Sequence, residues 1–421
     1  MRVAHVVDRF PQLSETFILN MITGLIDRGH DIDIIPIRSQ PLNNLTIHQD
    51  VFTYRLLDYT RQPISIPENP TYRLIKVFYH ALSQLLRTST PRSHVLRLIH
   101  LGRKSGSIEV LIRAIPLLEL DKHDIVHCHF GPLALTTLKF REIGLLQGKL
   151  ITAFHGFDMT LYPQDHGWQC YQPLFAEGNL FLPISHHWQG KLISLGCPSH
   201  KTSVHRMGIN CDHFQYRPRD LKVNEPVILA SVCRLVEKKG IEYGIRAVAQ
   251  LVNQWPNLQY WIIGDGTLRP QLEALVNQLQ LTAQIHFWGW KKQEEIITLL
   301  YQAHILMAPS VTSIDGDQEG IPVALMEAMA MGLPVVSTLH SGIPELVEDG
   351  VSGFLVPERD SDALADRLHQ LLTQPKSWMD MGWSGRRRVM QDYNIKSLND
   401  QLEAIYQEVS QDTPTIMARV N

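Results

Sequence analysis

Two glutamates eight residues apart, Glu319 and Glu327, lie in the stretch EGIPVALMEAMAMGLPVV at 319–336. The run from Val323 to Met331 is apolar on nearly every side, the mark of a buried helix, yet Glu327 stands in its middle. An ionised carboxylate is costly to bury unless partners compensate it, so a purely structural core does not account for the pattern. Pro322 suits a first helical turn, where a missing N–H is no loss, and Gly332 suits a helix end, so the spacing predicts a helix over 322–331 with Glu319 in the loop before it. The leading N–H groups of Val323 and Ala324, at the positive end of the helix dipole, then form an anion site whose natural occupant is phosphate. Glu327, about a turn and a half further in, faces the same crevice as an acceptor for hydroxyls, and Glu319 does so beside the helix mouth. Two acceptors flanking an anion site suit a ligand with a sugar on each side of a phosphate group.

Cations follow another strand. After PVILASV comes CRLVEKKGIEYGI, which places Arg234 and Lys239 in a loop before a helix that opens near Gly240. A guanidinium grips two oxygens at once and an ammonium is a mobile point charge, so the pair could neutralise a diphosphate, although either alone is commonly a solvated loop charge. Gly264 and Gly266, in GDG, follow a strand and precede a helix as a phosphate-side turn does. Position 269 is Arg where a dinucleotide fingerprint requires glycine, so a nicotinamide cofactor is not expected. DGD at 315–317 imitates a metal-binding acidic pair and is read as a loop feature. The histidines of HCH (127–129) and HH (186–187) lack the spacing of a zinc site and are read as core or surface residues.

These residues need strand ends to hold them. At 421 residues the chain exceeds one ordinary core, and about 150 residues per domain gives two or three. With 44% hydrophobic and 19% charged residues it reads as globular, and a net charge of -3 gives no reason to expect a nucleic-acid partner. Short apolar runs alternate with amphipathic ones, the sequence form of repeated β-α units. Strands are expected at 3–7, 31–37, 124–130, 149–154 and 179–184, and again in PVILASV, LQYWIIG, IHFWG, HILMAPS, PVVST and GFLVP. The polar, proline-bearing stretch 206–226 reads as a linker. The expected class is α/β, with two Rossmann-like doubly wound domains, 1–205 and 227–390, facing each other across a cleft that binds ligand at the strands' carboxyl ends. Residues 391–421 read as a helical segment packing back toward the first domain.

Residues 72–118 depart from this rhythm. Arg73, Lys76, Arg87, Arg92, Arg97, Arg103, Lys104 and Arg113 stand against only Glu109, interleaved with apolar residues. The stretch is either a basic amphipathic segment for an anionic membrane surface or a solvated helical insert on the first domain. The five cysteines are odd in number and form no C-x-x-C pair, which fits free thiols in a reducing compartment. The N-terminus enters a short strand directly and shows no secretory signal, and no run of about 18 apolar residues predicts a transmembrane helix. The expected location is the cytoplasm, with peripheral contact at the inner face of the membrane if the basic stretch docks there.

SVCRLVEKKG, IIGDG, FWGW, EGIPVALMEAMAMGLPVVST and GIPELVEDGVSGFLV, with FHGFD and MGINCDHF before them, resemble the family 4 glycosyltransferases of GT-B architecture. The resemblance runs from about residue 120 onward, and FPQLSETFI is most similar to the branch that builds bacterial exopolysaccharides of the colanic-acid kind. It implies that Arg234 and Lys239 bind the donor diphosphate, that Glu327 holds the nucleotide ribose, and that Glu319 lies near the donor sugar's hydroxyls with the backbone of Gly320 and Ile321. It further implies that His155 contacts the donor sugar across the cleft, with Asp158 beside it. Many relatives carry a glycine pair after the first strand, where this chain has DRFPQLSETF and Ser14 is available to cap the next helix.

The activity implied is retaining, metal-independent hexosyl transfer from a nucleotide-diphosphate sugar to a glycan or lipid-linked hydroxyl, with no cofactor. Cations and a helix N-terminus assist most as negative charge builds on the leaving diphosphate. The acceptor hydroxyl attacks on the same face while a phosphate oxygen takes its proton. Rival readings are a non-catalytic nucleotide-sugar-binding subunit of a polysaccharide assembly complex, or a GT-B phosphorylase or epimerase.

Overall fold

Each expected apolar run becomes a strand in the computed structural model, which describes residues 1–12, 15–39, 48–64, 72, 108–118, 120–221 and 225–411. Ser14 and most of the basic stretch, from Arg73 through Lys104, lie outside the described residues, so the expected cap and membrane segment lie there too. Its described end, the helix Ile108–Ala114 and the turn Ile115–Leu117, buries Ile112, Ala114, Ile115 and Leu117.

The chain divides into two compact units, one drawn from Met1–Pro183, Gln189–His205 and Asn399–Asn421, the other from Ile184–Trp188 and Arg206–Leu398. The first contains β1 (Arg2–Val7), β2 (Asp31–Pro36), β3 (Ile125–His129), β4 (Lys149–Phe154) and β5 (Leu180–Pro183), in the order β2-β1-β3-β4-β5, every pair parallel. Parallel sheets are covered on both faces, which is why β1, β2 and β4 are buried at all but their first position and β3 and β5 throughout. The order reverses between β1 and β3. Helix Thr16–Asp27 follows β1 with Glu15 at its N-cap and no side-chain cap bond. Near the chain's end, Arg28 Nη2 pairs with Asp400 Oδ1 at 2.5 Å and Asn399 Nδ2 donates to Asn20 O at 3.4 Å.

The second unit contains β6 (Ile228–Val232), β7 (Gln259–Ile263), β8 (Ile285–Gly289), β9 (Ile305–Ala308), β10 (Val335–Thr338) and β11 (Gly353–Val356), again all parallel, in the order β11-β10-β9-β6-β7-β8. This is the doubly wound dinucleotide-fold order, and it reverses between β6 and β9, so the loops leaving those strands diverge and open a crevice at their carboxyl ends. The stretch expected to be a linker is largely packed into this unit. Ile209, Cys211 and Phe214 are buried in its core, and Arg219 donates to the carbonyls of Tyr301, Leu300 and Met331. Apolar residues inside a polar-looking segment decided its placement.

All five cysteines are free thiols. No helix among the described residues is long and apolar enough to cross a membrane.

Candidate active site

The two loops leaving the β6/β9 switch point carry the cations and the first glutamate. Beyond β6, Arg234 is exposed and takes no ion-pair partner among the described residues, while Lys239 ends the turn Glu237–Lys239 just before the helix Ile241–Leu251. Beyond β9 the chain runs through Glu319, Gly320 and Ile321 into the helix Val323–Ala330. That helix begins one residue later than its proline predicted. Pro322 is the N-cap, with φ −61° and an extended ψ of 120°, because a fixed φ fits the residue before a helix as well as the first within it. No side chain caps the helix, so Val323 and Ala324 supply its leading N–H groups, which have no carbonyl a turn earlier to bind. Lys239, Pro322 and Ala324 line one small cavity with Ser231, Cys233 and Ser310.

Lys239 and Glu319 meet across the two loops, Nζ to Oε2 at 2.8 Å, with side chains only 16% and 9% exposed. Burial pushes the Glu319 carboxyl up, but the Lys239 ammonium, helped by Lys238, reverses this and holds it below the usual range. Its other oxygen, Oε1, is buried with no hydrogen-bond partner among the described residues. The backbone here is fixed by residues that the sequence pattern did not single out. The Glu319 N–H donates to His340 Nε2 at 3.0 Å, which fixes that ring as the Nδ1–H tautomer, and Nδ1–H donates to Glu358 Oε1 at 2.6 Å. Ser341 Oγ donates to the carbonyls of Glu319, at 2.6 Å, and Gly320, at 3.2 Å. His340 and Ser341 follow β10 after one intervening residue, so their position at a parallel strand's carboxyl end was the one available signal.

Gly264 and Gly266 act through the backbone. A Cβ on Gly264, where φ is +134°, would meet Cys233 O at 1.9 Å, and one on Gly266 would meet Leu235 O at 2.5 Å. Glycine at both places lets the β7 loop close on the segment that carries Arg234. Arg269, the residue that broke the dinucleotide fingerprint, is tied to Asp265 at 2.9 Å and Glu273 at 2.8 Å. DGD is a loop, with Asp317 paired to Lys238 at 2.8 Å.

Glu327 is half-buried on the helix, with Gln293 Nε2 at 3.4 Å from its Oε1. Burial pushes its carboxyl up to about 7, and Gln293 only partly opposes this. A folded-state pKa above the unfolded value means the native state holds the proton more firmly, so this group's contribution declines as pH rises from about 4.5 to about 7 and is flat beyond. Glu327→Gln is therefore expected to remove that decline and to raise the melting temperature at pH 8. Melting curves at pH 5 and pH 8 check it; an unchanged pH dependence would show that Glu327 is an ordinary solvated carboxylate.

His155 and Asp158 belong to the first unit. Asp158 is fully buried and its carboxylate accepts the N–H groups of Gly156 at 2.8 Å, His155 at 3.0 Å and Gly131 at 3.2 Å. Burial outweighs these bonds and pushes its pKa up to about 6. With its oxygens so engaged, Asp158 shapes the HGFD loop rather than presenting a free acceptor. His155, pushed down to about 3 by burial, packs against Phe17, Phe130 and His129 as a neutral ring.

Residues 212–388 match the domain described as glycosyl transferases group 1. The chain is 39% identical over 414 residues to WcaL of Salmonella typhimurium, described as a colanic acid biosynthesis glycosyltransferase, covering 97% of this chain and 100% of WcaL. It is 38% identical over 416 residues to the amylovoran biosynthesis glycosyltransferase AmsK of Erwinia amylovora, with the same coverage of 97% and 100%. Among solved structures it resembles Anabaena HepE in complex with UDP, at a TM-score of 0.69 and 17% identity over 97% of this chain and 100% of that one. Sucrose-phosphate synthase of Thermosynechococcus elongatus gives 0.71 and 18% over 98% and 100%. At such identities the likeness establishes the fold, two parallel-sheet α/β domains of the GT-B class. Identity to the curated relatives runs the length of both chains, and on that ground the protein belongs to the group 1 glycosyl transferases and is a glycosyltransferase.

Proposed function

We propose that the protein is a retaining, metal-independent hexosyltransferase that moves a sugar from a nucleotide-diphosphate sugar to a hydroxyl of a glycan or lipid-linked acceptor in exopolysaccharide biosynthesis, working in the cytoplasm. The observation that carries this reading is the convergence of Lys239, Glu319 and an uncapped helix N-terminus at the β6/β9 switch point, beside Arg234, which has no ion-pair partner among the described residues. Support for the donor class comes from HepE, solved with UDP and with UDP-glucose; support for the pathway comes from WcaL and AmsK.

In this reading Lys239 uses one of its three N–H donors on Glu319 and keeps two for phosphate oxygens. Arg234 supplies a forked second grip, and Val323 and Ala324 supply backbone N–H groups. The Lys239 ammonium, fixed on Glu319, and the helix N–H groups are in place before reaction, so they stabilise the departing diphosphate without reorganising. Glu319, held ionised by Lys239, and the backbone of Gly320 and Ile321 take the donor sugar, and Glu327 takes the ribose. His155 serves the sugar as a neutral hydrogen-bonding group. The proton of the attacking hydroxyl goes to a phosphate oxygen.

Purified protein incubated with a panel of nucleotide sugars, with release of nucleoside diphosphate as readout, tests the proposal. One donor is expected to be hydrolysed slowly without acceptor, with EDTA making no difference to the rate and the released sugar keeping its anomeric configuration. No binding of any nucleotide sugar or nucleoside diphosphate by calorimetry would overturn it; inversion or EDTA-sensitive turnover would overturn the retaining or the metal-independent part.

A further inference from the structure

The first unit holds a cluster that this chemistry does not use. His127 and His129 are two residues apart on β3 and so project from the same face of the sheet. On the adjacent β1, His5 pairs in register with His127. The three lie at the point where this unit's strand order reverses, all at 0% exposure, and one ring nitrogen from each lies within 4.8 Å of the others. Judged by spacing alone, HCH is no zinc motif, because the third imidazole is 124 residues from His129. Parallel strand pairing brings it alongside.

Hydrogen bonding leaves the cluster incomplete. His5 Nδ1 and His129 Nε2 share a proton at 3.1 Å, and His127 Nδ1 lies 2.6 Å from Tyr406 Oη. His5 Nε2, His127 Nε2 and His129 Nδ1 remain buried with no hydrogen-bond partner among the described residues. A core histidine ordinarily satisfies both ring nitrogens. The single proton between His5 and His129 leaves a lone pair on the outer nitrogen of one ring and an N–H on that of the other, and neutral imidazoles are the ligands that borderline divalent metals select.

We propose that His5, His127 and His129 bind one zinc-class divalent ion within the first unit. Tyr406 accepts the Nδ1–H of His127 and so presents Nε2 to the ion, the outer hydrogen bond that orients metal-bound histidines. The rings now lie nearly parallel, 11° apart for His127 and His129. Tetrahedral ligation with Zn–N near 2.0–2.1 Å places nitrogens about 3.4 Å apart, against ring nitrogens that now lie within 4.8 Å of one another. Ligation exchanges the His5–His129 hydrogen bond for two metal bonds and leaves one coordination position for water. The ion's work is structural: it ties β1 to β3 and stabilises the folded unit by binding it in preference to the unfolded chain. The diphosphate chemistry proposed for Arg234 and Lys239 does not depend on it.

The test uses the full chain without a polyhistidine tag, expressed in zinc-supplemented medium and passed into metal-free buffer. Elemental analysis is expected to find about one zinc per chain, falling to below about a tenth in His129→Asn and in His5→Asn. Zinc added to the stripped chain is expected to raise its melting temperature, and cobalt in its place to give the visible absorption of a four-coordinate site. Should either variant fail to fold, the wild-type measurements decide alone. Less than about a tenth of an equivalent in wild-type protein, with neither a thermal shift nor cobalt absorption, would make the cluster a metal-free core. Equal zinc in wild type and both variants would place the ion elsewhere and also overturn the proposal.

Discussion

Arg234→Ala is expected to slow sugar transfer by roughly 100-fold or more while leaving the fold intact, by analogy with loss of one preorganised electrostatic stabiliser. Both halves of the expectation come from the same feature. The guanidinium is exposed and has no ion-pair partner among the described residues, so its removal strands no buried charge and opens no cavity. Its loop is held by the backbone, with the Leu235 N–H on Asp265 O at 2.9 Å and the Cys233 N–H on Ile263 O at 3.0 Å. Circular dichroism and the melting temperature should match wild type while the turnover number falls. Arg234→Lys should recover only part of the loss, because an ammonium cannot reproduce a bidentate grip. Wild-type transfer by the alanine variant would remove the proposed mechanism.

Lys239→Ala is expected to lower transfer by a similar factor or more, and to destabilise the chain by roughly 3 kcal/mol, because it leaves Glu319 buried without its counter-ion. The dependence on pH should change sign with it. In wild type the Glu319 carboxyl is held below its ordinary value, so its contribution is present above the unfolded pKa and is lost as acid protonates the folded state. Without Lys239, burial prevails, the folded pKa rises above the unfolded one, and stability falls as pH increases through that interval. Urea midpoints at pH 5 and pH 8 measure this. The double variant Lys239→Ala/Glu319→Gln separates the lysine's two duties: it should regain most of the stability and none of the transfer. Recovery of transfer would mean that neither the ammonium of Lys239 nor the carboxylate of Glu319 is needed, and would overturn both proposed roles.

The legible parts of this protein were those in which local chemistry and long-range packing agree. The run KLITAF is buried at all but its first position because both faces of a parallel sheet are covered, whereas IHFWG, at the edge of its sheet, is only partly buried; both became strands at the expected residues. The placement of Arg234, Lys239 and Glu319 in loops beyond β6 and β9 was legible because strand and helix periodicity bracket those loops. Pro322 misled by one residue, since a proline's φ fits inside or just outside a helix. The stretch 206–226 misled because its polar composition conceals Ile209, Cys211 and Phe214, which are buried in the second unit's core.

By itself the sequence determined the α/β class, the parallel strands and the residue types that gather at one switch point, because periodicity and turn chemistry are local properties. Tertiary structure alone decided which groups touch. It set Lys239 on Glu319 across 80 residues, locked His340 between Glu319 and Glu358, brought the Gly131 N–H onto Asp158 across 27 residues, and laid His5 beside His127. Each contact joins segments whose separation along the chain carries no periodic signal, and only strand order and register bring them within hydrogen-bonding distance.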